Sequence, residues 1–345
     1  MGADIGGIAE GKIIPISELG GKTFAVDAYN TIYQFLSSIR QPDGTPLMDF
    51  KGRVTGHLAG VFYRNAKLIA NGIRVAYVFD GKPPSFKAGT IDERQKVKEE
   101  SEEKWRDALK EGDMEGARKY AQGTSRLTRE MVEEAKKLLE LMGIPVVQAP
   151  SEGEAQAAEL AREGEVYAAA SQDMDALLFG APRLLRNLSI TGKRKIPRRD
   201  EYVNVEPQLI ELKEVLAAHM ISREQLIWLG ILAGTDFNKG IRGIGVKKGL
   251  KIVLGKKNLA EVEKFVKSEL KAEFEEDIYA VEKFFLEPPV EHGVKVKFGI
   301  ADVEGLGKFL CDEHDFSHER VDKTVHGLFA SQSVKGKQKG LEEWF

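Results

Sequence analysis

One cysteine in 345 residues, Cys311, excludes a disulfide framework and a thiolate metal cluster. Its place in the run Leu306, Phe309, Leu310, Cys311 predicts a buried core thiol. Histidine is scarce as well. The six (His57, His219, His292, His314, His318 and His326) form no HExxH and no paired ligand spacing, which argues against zinc chemistry. His314 and His318, four apart, fit a packing or surface role. No apolar run is long enough to span a bilayer and no leader is evident, so a soluble, reducing compartment is expected. A positive balance is missing too: 51 Lys and Arg against 54 Asp and Glu give −3, at odds with a nucleic-acid binder.

That mean hides clusters, and patches matter more than totals for an electrostatic footprint. Residues 186–199 carry Arg186, Lys193, Arg194, Lys195, Arg198 and Arg199 with no acid, and 239–257 carry Lys239, Arg242, Lys247, Lys248, Lys251, Lys256 and Lys257, again with none. Acid is concentrated in its own way. Asp27, Asp80, Glu152, Glu154, Asp173, Asp175 and Asp236 each stand beside an expected strand end or helix start. Carboxylates gathered without matching bases repel one another and resist desolvation unless a cation joins them. Hard divalent ions that take oxygen ligands and face phosphate are the residents this pattern predicts, Mg²⁺ or Mn²⁺.

Apolar runs at 22–27, 73–80, 144–148 and 166–170 read as strands, with helices over 28–40, 55–71 and 152–162 between them. Ser151 is the expected N-cap of the last, with Glu154 at capping-box spacing. Strands separated by helices predict an α/β fold: a central, mostly parallel, twisted sheet flanked by helices. Ligands of such sheets bind outside the carboxyl ends of the strands, where Asp27, Asp80 and Asp173 fall. The Glu- and Lys-rich stretch 90–120 is either a helical arch over that rim or a surface helical hairpin. The loop 41–54, with Leu47, Met48 and Phe50, is either an apolar platform for a base pair or a core plug.

Lys87 and Arg94, seven apart, would share a helix face two turns apart and could reach one phosphate, as catalytic groups or as part of a solvated helix. After Asp236, Gly240, Gly243 and Gly245 predict a tight turn between two helices, with Val246 opening the second. That is a helix–hairpin–helix-type grip: amides, with Lys247 and Lys248, hold a DNA backbone without reading bases. Rossmann and Walker A patterns both fail. At the end of the chain Gln338, Leu341, Trp344 and Phe345 follow a Gly- and Lys-rich linker and would either dock in a partner's pocket or pack back. A non-catalytic DNA scaffold would use the grip and the tail but not the acids.

With these residues in view, the chain resembles the flap endonuclease family of structure-specific 5′ nucleases, in its archaeal form, over essentially its whole length. The landmarks are Val26-Asp-Ala, Val78-Phe-Asp-Gly, Ser151-Glu-Gly-Glu-Ala, Ser171-Gln-Asp-Met-Asp, Gly234-Thr-Asp and the terminal Gln-x-x-Leu-x-x-Trp-Phe. The resemblance implies one nuclease domain over 1–330. Its catalytic core is 1–87 with 131–216, its arch 88–130, its duplex-binding helix–turn–helix 217–260, its C-terminal helices 261–330 and its clamp-binding tail 331–345. It implies two Mg²⁺ (Mn²⁺ as substitute), the first on Asp27, Asp80, Glu152 and Glu154, the second on Asp173 and Asp175 with Asp236 nearby. A K⁺ is implied at the glycine turn. Lys87 and Arg94 become catalytic, Tyr33 a stacking residue at the scissile nucleotide, and Gly2 a processed amino terminus near the site. Leu47, Met48 and Phe50 become a wedge against bent duplex. Implied too are a monomer, branched DNA with a 5′ flap, a sliding clamp (PCNA), no membrane, a cytoplasmic setting and roles in replication and repair.

Overall fold

The computed structural model describes residues 5–189, 192–195 and 202–326, without the side chains of 88–96, 193–195 and 202–203. The strands are β1 (Lys12–Ile13), β2 (Thr23–Asp27), β3 (Arg74–Phe79), β4 (Val146–Gln148), β5 (Ala168–Ala170), β6 (Arg183–Arg186), β7 (Gly192–Lys195), β8 (Tyr202–Val205) and β9 (Gln208–Glu211). Seven of them form one sheet in the order β1-β9-β6-β5-β2-β3-β4, while β7 and β8 form a separate antiparallel hairpin. All pairings from β6 through β4 are parallel, and β9 runs antiparallel to β6 and β1. The central strands are buried along their length, β2 throughout and β3 after Arg74, which is why they read as unbroken apolar runs.

Helices cover both faces. α1 (Ala28–Ser38) and α2 (Gly56–Ala70) join β2 to β3; α3 (Ala88–Glu111), α4 (Met114–Ala121) and α5 (Arg129–Leu141) lead to β4. α6 (Gly153–Arg162) and α7 (Asp175–Leu178) flank β5, and α8 (Leu212–His219), α9 (Arg223–Ala233), α10 (Val246–Val253), α11 (Leu259–Glu269), α12 (Ile278–Leu286) and α13 (Val303–Gly307) complete the C-terminal part. One core packs α6, α7 and α9 to α12 on one side of the sheet, and a second packs α1, α2, α5 and residues 306–325 on the other. Cys311 is buried in the second, as its apolar run predicts. Among the described residues no single helix is long and apolar enough to cross a membrane.

Two local expectations change. Glu152, not Ser151, is the N-cap of α6, and its own side chain makes no capping hydrogen bond. The Ser151 carbonyl accepts Gly81 N–H at 2.6 Å, which holds Ser151 in the preceding turn and starts the helix one residue later. The 90–120 stretch is a hairpin of α3 and α4 that turns at Gly112, which has φ +73°. It stands on the 41–54 loop: Trp105 Nε1 donates to Asp43 O at 3.3 Å, and a Cβ on Gly44 would meet the Ala121 methyl at 2.6 Å.

Candidate active site

Four neighbouring parallel strands deliver acids to one edge. Asp27 ends β2 and caps α1, accepting Asn30 N–H at 3.1 Å. Asp80 follows β3, and its Oδ1 accepts Gly153 N–H at 2.6 Å from the start of α6, where free amides favour an anion. Glu152 and Glu154 follow β4 at that same helix start. Asp173 follows β5, takes Asn30 Nδ2–H at 2.9 Å and donates its own N–H to Ser171 Oγ at 3.1 Å, while Asp175 opens α7. Asn30 therefore ties the β2 end to the β5 end. Asp236 comes from the turn after α9. There Thr235 donates to Asn238 Oδ1 at 2.8 Å, Asn238 donates to Ile231 O at 2.7 Å, and the next side chain, Phe237, is buried.

Asp27, Glu152 and Asp175 are buried; Asp80, Glu154, Asp173 and Asp236 are partly so. Burial, then Asp80, Asp173 and Glu152, push the Asp27 carboxyl well above its ordinary range despite the Asn30 amide. Glu154 is pushed up as strongly by burial and by Asp175, Asp27 and Asp173. Asp80 rises through burial and Asp236, against its Gly153 bond and Lys87; Glu152 rises through burial, Asp80 and Asp236, against Lys87. Mutual repulsion of this kind places the acids within one electrostatic field. It is what a cation would relieve.

Lys87 Nζ lies 2.6 Å from Glu152 Oε2 and 5.4 Å from the centre of the Phe237 ring, largely buried. Burial works to discharge this ammonium, but Glu152, Asp80 and Asp236 outweigh it and raise its pKa. Phe86, one residue before Lys87, meets Phe237 edge-on at 5.7 Å, so the turn carrying Lys87 is locked to the segment carrying Asp236. Arg94 lies on α3, but its side chain is outside the described residues, as are Gly2 and the tail residues Gln338, Leu341, Trp344 and Phe345.

The donor set is oxygen only, and Glu154 Oε1 is buried with no hydrogen-bond partner. Both features fit hard divalent cations. The seven acids are set openly: the described trio with donor atoms all within 4.8 Å of one another is a different one, at the far end of α6. Tyr33 of α1 is half-buried, with Lys98 Nζ of α3 5.4 Å from its ring centre. In the 41–54 loop Phe50 is 96% exposed and Met48 48%, with Leu47 half-buried, so the core-plug reading fails for the tip. That tip is held out by Arg53 on Asp49 at 2.7 Å and by Phe50 N–H on Asp315 at 2.8 Å.

The glycine turn lies between α9 and α10 as expected. Gly240 and Gly243 take φ +71° and +82°, Gly245 is the N-cap of α10, and Lys248 Nζ donates to Gly243 O at 3.0 Å. Sequence reasoning misses Asn30, Ser171, Phe86 and Phe237. Of these, Ser171 stands in the Ser171-Gln-Asp-Met-Asp landmark and Phe86 and Phe237 adjoin Lys87 and Asp236, while Asn30 carries no signal.

The sheet collects acids at four adjacent parallel strand ends with a largely buried lysine beside them, and two family models give the class of this site as an XPG-family nuclease. Residues 8–101 match the XPG N-terminal domain and 143–236 the XPG I-region. Flap endonuclease 1 of Pyrococcus furiosus is 55% identical over 348 aligned residues, covering 100% of this chain and 99% of the relative. The solved flap endonuclease-1 of Methanococcus jannaschii superposes with a TM-score of 0.75 at 42% identity, over 97% of this chain and 100% of that one. The catalytic core of Rad2 in complex with DNA substrate gives 0.68 at 25% identity, over 94% and 97%. The chain belongs to the flap endonuclease 1 family.

Proposed function

We propose that the chain hydrolyses DNA phosphodiesters where a 5′ flap leaves a duplex, with 5′ exonuclease and gap-dependent cutting, in Okazaki-fragment maturation and long-patch base-excision repair. The observation that carries this reading is the pooling of carboxylates at four adjacent strand ends, each raising its neighbours' proton affinity, beside Lys87. Asp27, Asp80, Glu152 and Glu154 would hold one Mg²⁺ and Asp173 and Asp175 a second, with Asp236 alongside and Mn²⁺ as a substitute. Bound there, two such ions supply a deprotonated nucleophile at neutral pH and stabilise the leaving oxygen.

The protein's own groups do the rest. Glu152 holds Lys87 at the rim until the scissile phosphate, gaining negative charge in the transition state, draws the ammonium to it. Arg94 would add a second cation from the arch. Tyr33 presents an aromatic face where α1 meets the arch, suited to stacking on the nucleotide at the cut. Phe50 and Met48 offer an exposed apolar tip against which a base pair can end, with Leu47 at its root. The amides around Gly240, Gly243 and Gly245, with Lys247 and Lys248, would grip the uncut duplex through its phosphates, with a K⁺ among the turn carbonyls. Gly2 would lie near the site. The chain works as a monomer in the cytoplasm, and Gln338, Leu341, Trp344 and Phe345 would dock it on a sliding clamp.

An end-labelled double-flap DNA in Mg²⁺ tests this. The expected product is the released 5′ flap, cut next to the junction. Release of the 3′ flap, or equal cutting of blunt and single-stranded DNA, would refute it. In the same assay Trp344→Ala with Phe345→Ala should leave basal cutting intact and abolish stimulation by a ring clamp; full stimulation would refute the tail's role.

A further inference from the structure

Among the described residues, a second group of side chains, apart from the acidic cluster, is arranged for a cation. Glu159 lies in α6 and Glu163 closes it, one turn apart on the same face. His292 reaches them from the segment after α12. One donor atom from each falls within 4.8 Å of the other two. His292 Nδ1 lies 2.8 Å from Glu159 Oε1 and 3.9 Å from Glu163 Oε1. Glu159 is 4% exposed, whereas the His292 side chain is 72% exposed, so the group has a buried wall and an open mouth.

Two further observations favour a cation here. Glu159 Oε2 is paired with the Arg162 guanidinium, which leaves Oε1 toward the histidine. The facing segment is fixed in advance. Gly293 N–H donates to both Glu163 oxygens, at 2.9 and 3.0 Å, and the Gln156 amide clasps Glu291 by donating to its carbonyl (2.8 Å) and accepting from its N–H (2.7 Å). The group also sits at the C-terminal end of α6, where free carbonyls and the helix dipole favour positive charge.

Mg²⁺ prefers an all-oxygen shell, whereas one imidazole with two carboxylates and an open position suits Zn²⁺ and its neighbours. We propose that Glu159, Glu163 and His292 bind a divalent transition ion of the zinc class, separate from the acidic cluster, and that this ion staples residues 291–293 to α6. At 1.5 Å per residue, Glu159 and Glu163 lie ~8 and ~14 Å along the helix from Glu154, so the two groups share no ligand. Binding displaces the proton shared between His292 and Glu159. The sequence conceals the trio because its histidine is 129 positions from the nearer glutamate, far outside any motif spacing.

The test is calorimetric titration of Zn²⁺ into chelator-stripped, full-length protein held in excess Mg²⁺, with Co²⁺ absorbance as a check on nitrogen ligation. Zn²⁺ should bind and raise Tm. His292→Gln should weaken binding by more than the roughly 10- to 100-fold typical of losing an outer-shell partner. Asp173→Ala should leave binding intact. Absence of Zn²⁺ binding in the wild type, undiminished binding in His292→Gln, or loss in Asp173→Ala would each overturn the proposal. Should His292→Gln lower Tm without metal, Glu163→Gln decides by the same comparison.

Discussion

In the proposed mechanism Lys87 serves two charges in turn. Its ammonium, 2.6 Å from Glu152 and largely buried, neutralises part of the acidic edge at rest and is within reach of a phosphate placed there. Lys87→Ala should slow single-turnover cleavage by roughly 10²–10³, the usual loss for one transition-state donor, while DNA affinity is largely kept. A rate within about twofold of wild type at saturating DNA would remove it from the chemistry. The acids themselves are legible because each ends an apolar run or opens a turn. Their positioners are not. Asn30, which bridges Asp27 and Asp173, looks in sequence like any polar helix residue. Gly153 reads as a spacer between two glutamates, yet a Cβ there would meet Asp80 Oδ1 at 2.7 Å, so it is the close approach of α6 to β3 that requires glycine.

At the scale of elements, β2 to β5 with α1, α2 and α6 follow from apolar runs and helical spacing, their ends shifted by only a residue or two, whereas β1 and β6 to β9 are not anticipated. Buried strands have no alternation to misread. The errors lie where a tertiary interaction competes with a local signal, as at Ser151, whose carbonyl is taken by Gly81. The hairpin α3–α4 is ambiguous for a different reason: a charged helix reads alike whether it stands over a site or lies on a surface. The turn between α9 and α10 is legible, since glycines at close spacing mark positive φ. The proposed grip on phosphates would rest on charge rather than base sequence and would therefore be salt-dependent. Lys247→Ala with Lys248→Ala should reduce the slope of log affinity against log salt by about 0.9 for each phosphate no longer neutralised, with little change in the cleavage rate once DNA is bound. An unchanged slope would place the duplex elsewhere.

Across the whole molecule, the acidic edge is a local instability built into a well-packed sheet. Asp27, Asp80, Glu152 and Glu154 bind protons more tightly folded than their ordinary values of 3.8 and 4.5 imply. A carboxylate raised in this way adds stability that is fully present below its unfolded pKa and lost as pH rises through its folded pKa. In chelator, Tm should therefore fall as pH climbs above the ordinary carboxylate range, and Mg²⁺ should restore more of it at high pH than at low. A chelated protein whose Tm rises over that interval would contradict the repulsion. Net charge of −3 gives no hint of this architecture, because the basic clusters and the acidic edge cancel in the sum.

The most direct measurement is single-turnover cleavage of a 5′-flap DNA in Mg²⁺ by Asp173→Ala, with binding measured in parallel. The account predicts that cleavage falls by orders of magnitude while the DNA still binds nearly as tightly as to the wild type. Cleavage at the wild-type rate would contradict it.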